Sequence, residues 1–381
     1  MRIALVYPEC HRRGGVERVV WEAARFLASR HDVTLVCRRG GAEGLPSSVS
    51  IVGVPVPRVP APLAPAAFRW SAARALPAVR ADVTVSFGFD CPAADVLVLG
   101  SVHAAWLGHG QPVRWRGLVV PAGVRRVLPR HQTRLLLERL TLRSGGRGTI
   151  VAVSDNVADD VVRLYGVARE GIVVLPNGFD PEQCSPERRS ELRPEARRHA
   201  GVDDSGPCVV MVANEWHRKG LGVLVDALGR LRDLSPSLAL VGRMAPTQYE
   251  DRIRAAGLAD RVHYLGPMDD VAEAYAVGDL FVLPTQYEAF GTVIVEALAC
   301  GLPVVTTALA GASMTVQPGV NGLLQQDPND GDELERLLRE AMTGGALSRW
   351  SAAARESVAG YEWSTVMGRM ESVIVAARAD R

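Results

Sequence analysis

Short apolar runs alternate along this chain with longer stretches in which apolar residues recur every three or four positions. Residues 2–7 form an unbroken β-forming run. After Gly14-Gly15, the residues Val16, Val19, Val20, Ala23, Phe26 and Leu27 fall at helical spacing. Residues 33–37 read as the next strand, with further strands expected at 50–54, 82–87 and 95–100. Five prolines (55, 57, 60, 62 and 65) predict an irregular loop between 55 and 66. Residues 135–142 read as a helix and 149–153 as a strand. Ser154-Asp155 then offers an N-cap for a helix to about Tyr165. Residues 172–175 read as a strand stopped by Pro176-Asn177-Gly178.

Residues 180–207 are polar and rich in Pro, Glu and Arg, which predicts a linker. Beyond them the alternation restarts. Strands are expected at 208–213, 238–241, 262–265, 280–283 and 303–306, with helices between, and 363–377 reads as an amphipathic helix. Apolar strands alternating with helices predict parallel sheets covered on both faces. The fold class expected is α/β, with two Rossmann-like, doubly wound domains. Their expected bounds are 1–185 and 186–360, and a C-terminal helix over about 361–381 is expected to pack back on the first.

Composition narrows the function classes. A chain of 381 residues with 48% hydrophobic and 22% charged residues can bury a large core without staples. Its net charge of +1 makes no overall case for nucleic acid. No apolar run approaches the roughly 18–20 residues that a membrane-spanning helix needs. The N-terminal apolar run is too brief for a signal-peptide core. The six cysteines are scattered, without a C-x-x-C pair, which fits free thiols in a reducing cytosol. Charge is uneven, however. Residues 114–147 hold nine Arg and one acid, Glu138, for a local charge of +8.

Three features carry chemistry. The first is residues 213–220, Ala-Asn-Glu-Trp-His-Arg-Lys-Gly, which follow a strand and open a helix. Loops at the carboxyl ends of parallel strands are where such sheets bind ligands. Arg218 and Lys219 there suit an anion, although a solvated basic turn would look the same. The second is residues 288–296, Glu-Ala-Phe-Gly-Thr-Val-Ile-Val-Glu. Gly291 permits close backbone approach, and the helix that follows has unpaired first N–H groups able to hold a phosphate. Glu288 sits at its mouth. Glu296 falls among apolar residues and needs a partner, for which sugar hydroxyls would serve. The third, Gly14-Gly15, is weak alone and by itself reads better as a plain turn.

Taken together, these residues resemble the two-Rossmann-domain glycosyltransferases of family 4, the retaining GT-B type. The resemblance covers nearly the whole chain. Gly14-Gly15-Val16-Glu17-Arg18 resembles that family's first glycine loop, and Pro176-Asn177-Gly178-Phe179-Asp180 its segment before the linker. Arg218-Lys219-Gly220 resembles its phosphate clamp. Glu288 to Glu296 matches its E-x7-E motif, followed by Gly301-Leu302-Pro303-Val304. Within the family, the chain is most similar to bacterial lipopolysaccharide-core glucosyltransferases.

The resemblance implies a fold and a set of roles. The two domains would face each other across a cleft, the first binding the acceptor and the second a nucleotide sugar. Lys219 and Arg218 would neutralise the departing diphosphate. Amides of Phe290, Gly291 and Thr292 would hold phosphate oxygens, Glu288 would accept from donor-sugar hydroxyls, and Glu296 would bind the ribose. Asn214 belongs to the same nucleotide site. Gly14 and Gly15 would let the first loop close over the diphosphate, and His103 would face the sugar. One departure stands out. Many members carry an Arg four to six residues before the Lys, where this chain has Ala213, Asn214 and Glu215, so Arg218 would have to substitute.

The expected reaction moves a hexose from a nucleotide-diphosphate sugar, UDP-sugar favoured, with retention. No cofactor or metal is expected, since Asp330-Gly331-Asp332 reads as a helix cap. The acceptor is left open between an envelope glycan or lipid and a small natural product. Leucines interleaved with arginines at 134–143, with Trp106 and Trp115 nearby, read either as a core helix with a solvated Arg face or as a membrane-surface patch. The location expected is cytoplasmic, with peripheral contact at the inner membrane face as an option. An epimerase or phosphorylase of the same fold, or a non-catalytic sugar-nucleotide binding protein, are the rival readings.

Overall fold

The protein is described by a computed structural model that covers residues 1–108, 126–143, 148–203, 205–268 and 270–379, with the backbone of 113–115 and 118–120. The chain divides into two units, Met1–Asn177 with Trp363–Arg381, and Gly178–Glu362.

The first unit is built on seven strands: β1 (Arg2–Val6), β2 (Asp32–Arg38), β3 (Ser50–Val54), β4 (Val83–Phe87), β5 (Val96–Leu99), β8 (Thr149–Ala152) and β9 (Ile172–Val174). They run parallel in the order β3-β2-β1-β4-β5-β8-β9. The short β6 (Val113–Trp115) and β7 (Leu118–Val120) pair separately and antiparallel. Both sheet faces are covered, because alternate strand residues point to opposite sides. Ile3, Leu5, Leu35 and Val85 join a core with α1 (Val16–Leu27) and the C-terminal helix α13 (Trp363–Ala379). Val6 and Val36 turn the other way, to Phe68 and Ala72 of α2 (Ala64–Val79). Three further helices complete the unit: α3 (His103–Gly108), α4 (Pro129–Leu142) and α5 (Asp155–Tyr165). Ser154 caps α5 by accepting from the Val157 N–H.

The proline-rich stretch is only partly a loop, since α2 begins inside it. Pro65 stands in the first turn of α2, where the missing N–H costs nothing.

The second unit carries β10 (Cys208–Val212), β11 (Ser237–Val241), β12 (Val262–Gly266), β13 (Leu280–Leu283), β14 (Val304–Thr307) and β15 (Gly322–Gln325). These are parallel, in the order β12-β11-β10-β13-β14-β15. Its helices are α6 (Pro186–Ala200), α7 (Leu221–Arg230), α8 (Glu250–Ala255), α9 (Val271–Val277), α10 (Thr292–Ala299), α11 (Gly331–Met342) and α12 (Ala346–Ala354). Asp330 caps α11 by accepting from the N–H groups of Asp332 and Glu333.

Two expectations are corrected here. The stretch 180–207 is no linker, because it contains the 15-residue helix α6. This helix docks through arginines rather than an apolar stripe. Arg189, Arg193 and Arg197, spaced four apart, donate to the carbonyls of Tyr275, Ala276, Val277 and Gly278 at the end of α9. Carbonyls at a helix end run short of backbone donors, and the guanidinium forks supply them; the Tyr275 carbonyl accepts from the Gly278 N–H as well, at 3.3 Å. Arg193 also pairs with Asp279 at 2.5 Å. The unit boundary correspondingly falls after Asn177, not after 185. Phe179 is fully buried, its N–H donates to the Tyr361 carbonyl, and Cys184 is buried, all within the second unit.

Each sheet is doubly wound, and each reverses its winding once: between β1 and β4 in the first unit, and between β10 and β13 in the second. Ligands of such sheets bind beyond the carboxyl ends of the strands at that reversal.

Candidate active site

In the second unit, the loops leaving β10 and β13 carry the residues singled out in the sequence, and they lie side by side. Residues 215–220 form a turn held by Lys219 N–H to Glu215 O at 3.1 Å and Leu221 N–H to Trp216 O at 3.0 Å. Trp216 is buried, and its indole N–H donates to the Met244 carbonyl at 2.5 Å. Gly220 ends the turn at φ +83°, where a Cβ would strike the Pro284 carbonyl oxygen at 2.1 Å. Only glycine lets this turn seat against the β13 loop.

That seating is stitched from both sides. The Gln286 N–H donates to the Arg218 carbonyl at 2.9 Å, and the Thr285 hydroxyl donates to the carbonyls of Arg218 and Tyr287. The Arg218 guanidinium donates to the Tyr287 carbonyl. The result is a charge cluster. The Lys219 ammonium makes an ion pair with the Glu288 carboxylate, and Arg218 lies 3.7 Å from the same oxygen. Glu215 accepts from Arg218 at 3.0 Å. Lys219 is 8% exposed, so its charge is costly. Burial first, and the Arg218 charge second, push its ammonium down to about 7, with Glu215 acting against the shift. Glu288 favours the charged form as well.

Glu288 is anchored through its backbone, which pairs with Ala310 and accepts from the Gly311 N–H at 2.9 Å. Phe290 is buried, and its carbonyl accepts from Ala312 at 2.7 Å. Gly291 caps α10 at φ +93°, and Thr292 opens the helix. Two cations and a carboxylate thus stand in the loops that flank a helix N-terminus, an arrangement suited to an anionic ligand that also carries hydroxyls.

Glu296 and Asn214 are differently placed. Glu296 is buried on α10 and accepts a hydrogen bond from the Tyr275 hydroxyl at 3.0 Å. The partner that the sequence demanded is therefore available within the protein. Asn214 accepts from the Arg243 N–H at 3.0 Å, tying the β10 loop to the loop after β11.

In the first unit, Gly14 and Gly15 lie on the loop leaving β1. Gly14 has φ +106°, and a Cβ there would sit 2.7 Å from the Glu17 carboxylate, so this position requires glycine. At Gly15 the space for a side chain is open, with no atom within 4 Å.

His103 opens α3 beyond β5. Its backbone N–H donates to the Glu138 carboxylate, which also accepts from the Ala104 N–H at 3.1 Å and the Tyr165 hydroxyl at 2.6 Å. Its ring lies against Trp106 and His131. Burial, then Arg134 and His131, push the His103 imidazole down to about 4, so it is neutral at pH 7.

Three participants escaped the sequence reading. Glu138, the lone acid of the basic segment, is buried on α4 and grips the start of α3. Tyr275 meets Glu296 across 21 residues of chain. Asp90 stands on the loop leaving β4, at the winding reversal, and burial pushes its carboxyl up to about 7 against the pull of Arg69 and Arg134. No motif marks these residues; a topology-based search of strand ends would have found Asp90.

Of the basic segment, Arg126, Arg130, Arg134, Arg139 and Arg143 are described, and Arg116, Arg125, Arg147 and the side chains of Arg114 and Trp115 lie outside the described residues. On α4, Leu135, Leu137 and Leu142 are buried, while Leu136 and Leu140 are exposed. Among the described residues, no helix is long and apolar enough to cross a membrane.

Comparison with known proteins agrees with this geometry. Residues 13–183 match the family model described as Glycosyltransferase Family 4, and residues 206–343 the one described as Glycosyl transferases group 1. The lipopolysaccharide glucosyltransferase WaaG of Escherichia coli is 28% identical over 234 residues, 60% of this chain and 63% of WaaG. A D-inositol 3-phosphate glycosyltransferase of Actinosynnema mirum is 29% identical over 249 residues, 62% of this chain and 58% of that protein. The matched regions thus span about three fifths of these relatives. A WaaG crystal structure superposes with a TM-score of 0.81 over 98% of this chain and 99% of WaaG, at 24% identity. A structure of Anabaena HepE in complex with UDP and glucose gives 0.73 over 99% and 100%, at 20% identity. With a family model on each half and two parallel-sheet units of this kind, the chain belongs to glycosyltransferase family 4 and has the GT-B fold.

Proposed function

We propose that this enzyme transfers a hexose from a nucleotide-diphosphate sugar, UDP-sugar first, with retention of anomeric configuration. The observation that carries this reading is the Lys219–Glu288–Arg218 cluster beside the N-terminus of α10. Lys219 and Arg218 neutralise the diphosphate as the bond to the anomeric carbon breaks, which is charge stabilisation in the transition state. The amides at Phe290, Gly291 and Thr292 receive phosphate oxygens, with Glu296 and Asn214 completing the nucleotide site. Glu288 accepts from sugar hydroxyls. His103 faces the sugar. The open space at Gly15 leaves room for a phosphate oxygen at that loop.

The acceptor hydroxyl attacks the anomeric carbon on the face that the diphosphate leaves, and its proton passes to the departing phosphate oxygen. The reaction then needs neither a carboxylate nucleophile nor a metal cofactor. HepE binds UDP and glucose by its structure's description, which supports trying UDP-sugars first. WaaG and the inositol 3-phosphate enzyme act, by their names, on a lipopolysaccharide and a cyclitol phosphate. An envelope glycolipid and a small polyol are therefore the acceptor classes to compare.

Leu136 and Leu140, exposed one turn apart on α4 and interleaved with Arg139 and Arg143, support peripheral contact with an anionic membrane surface from the cytoplasmic side. Co-sedimentation with anionic vesicles that is lost in Leu136→Asp/Leu140→Asp would bear this out; equal binding by the variant would refute it.

The main test offers UDP-glucose, UDP-galactose and GDP-mannose to the protein with each acceptor class. Release of the nucleotide diphosphate and the anomeric coupling of the product are followed. Acceptor-dependent release with an α-linked product from an α-linked donor is expected. Equal release without acceptor would favour an epimerase instead.

A further inference from the structure

The ring of His103 is held by a directional chain of hydrogen bonds. Its Nε2 lies 2.9 Å from Nδ1 of His131, and the Nε2 of His131 accepts from the Nε–H of Arg130 at 3.2 Å. A guanidinium has donors and no acceptor. His131 must therefore carry its lone pair on Nε2 and its proton on Nδ1. That proton points at His103, whose Nε2 must in turn be the acceptor. The neutral His103 ring then bears its proton on Nδ1, and among the described residues Nδ1 has no partner. Protonating either ring would set two N–H groups against each other, so both rings are kept neutral. His131 is buried and Arg130 exposed, so the key can be altered from the surface.

We infer that His131, keyed by Arg130, is a positioning residue that fixes His103 as an Nδ1–H donor toward a hydroxyl oxygen of the donor sugar, and so removes it as a general base. The inference rests on the reading of this chain as a nucleotide-sugar transferase with His103 at the sugar. Its chemical content is that the one basic nitrogen of His103 is already occupied. A proton leaving the acceptor hydroxyl must go elsewhere, which agrees with its passage to the departing phosphate.

The surroundings favour the same neutral form. Burial, then the Arg134 charge and His131, disfavour an imidazolium at His103, and the His131 ring lies in contact with it. Glu138 on α4 is committed to the His103 and Ala104 N–H groups and to the Tyr165 hydroxyl on α5, and the Asp90 carboxyl interacts with Arg134.

The experiment is long-range proton–nitrogen correlation on the full chain labelled with ¹⁵N in its imidazoles, the His103 signals being identified by their loss in His103→Asn. The expected spectrum at pH 7 shows Nδ1 protonated and Nε2 bare. In Arg130→Met, a surface change, the two tautomers mix. In His131→Leu the Nε2–H form takes over, and kcat/KM for UDP-glucose falls about three- to tenfold, the worth of one neutral hydrogen bond. His131→Asn, which keeps a donor at the Nδ1 position, restores both tautomer and rate.

An Nε2–H tautomer in the unaltered protein, or a tautomer unmoved in both Arg130→Met and His131→Leu, would overturn the inference. A fixed Nδ1–H tautomer with full turnover in His103→Ala would instead overturn the placement of His103 at the sugar, and with it the purpose assigned to His131. Failure of the unaltered protein to transfer sugar from any nucleotide donor would sink the reading beneath, while the spectrum still decides the tautomer.

Discussion

The two units present the same sheet topology with opposite electrostatics at the site. In the second unit the site is assembled from charges: a buried ammonium on a carboxylate, with a guanidinium beside them. In the first unit His103 packs against the rings of Trp106 and His131 with the Arg134 charge nearby, and the Glu138 carboxylate is taken up by the His103 and Ala104 N–H groups and the Tyr165 hydroxyl. The difference teaches that one fold supplies two kinds of surface at its winding reversal and strand ends. Under the proposed function, the charged surface takes an anion and the ring-lined surface takes the hydroxyls of a sugar. Substitutions should therefore fail differently in the two places, by lost ligand affinity and turnover in the second unit and by lost local order in the first.

The largest effect is expected at Lys219. Lys219→Ala should lower turnover by about 10²- to 10³-fold, as removal of a charge-stabilising donor commonly does. The circular dichroism spectrum and the melting temperature should change little, because the Arg218 guanidinium remains 3.7 Å from the Glu288 carboxylate that Lys219 leaves. Turnover within a factor of two of the unaltered enzyme would break the comparison at its strongest point.

Glu138→Ala should behave in the other way. It strands the N–H groups of His103 and Ala104 and the Tyr165 hydroxyl, at a cost of about 1–3 kcal/mol for each buried donor left unmet. Chemical denaturation should register that loss, and His103-dependent turnover should fall with it. An unchanged denaturation midpoint would show that α3 does not depend on this grip.

These two sites were unequally legible in the sequence. Lys219, Arg218, Glu288 and Gly291 stand in short contiguous runs next to apolar strands, so spacing and strand order sufficed to bring them together. Glu138 lies 35 residues from His103, and in the sequence it is only the odd acid in an arginine-rich stretch. The strands themselves were readable, since runs buried on both faces are continuously apolar. Helix α6 was not. Its docking face is made of Arg189, Arg193 and Arg197, and a search for apolar periodicity cannot see a helix held by charged side chains on carbonyls. Helix α2 was hidden for a related reason: its prolines fall partly in its first turn, where they favour the helix they are usually taken to forbid.

Proton linkage offers a finer probe of the charged site. Lys219 is pushed down to about 7, and a bound diphosphate favours the ammonium and raises that value again. Binding of UDP should thus take up a proton above pH 7, and affinity should fall as pH rises, by up to about tenfold per unit for a single coupled proton. Calorimetry in buffers of different ionisation enthalpy measures the uptake. Lys219→Arg, which stays charged, should bind with a flat profile over the same range. Proton release on binding would contradict the assignment.

The smallest effect concerns the frame. Arg193→Ala removes two hydrogen bonds to α9 carbonyls and the pairing with Asp279, and should lower the stability of the protein by about 1–3 kcal/mol. The affinity for UDP should hardly change. A large drop in affinity would mean that α6 supports the site as well as the unit.

The most direct test of the central claim, a nucleotide-diphosphate sugar site built on Lys219 and Glu288, is a thermal-shift titration with UDP-, GDP-, ADP- and dTDP-sugars in metal-free buffer. The unaltered protein and Lys219→Ala are compared side by side. A ligand that binds only the folded state raises the melting temperature, by an amount that grows with the logarithm of its concentration relative to Kd. A rise with a UDP-sugar that disappears in Lys219→Ala is expected. An equal rise in both proteins, or none with any nucleotide sugar, would contradict the claim.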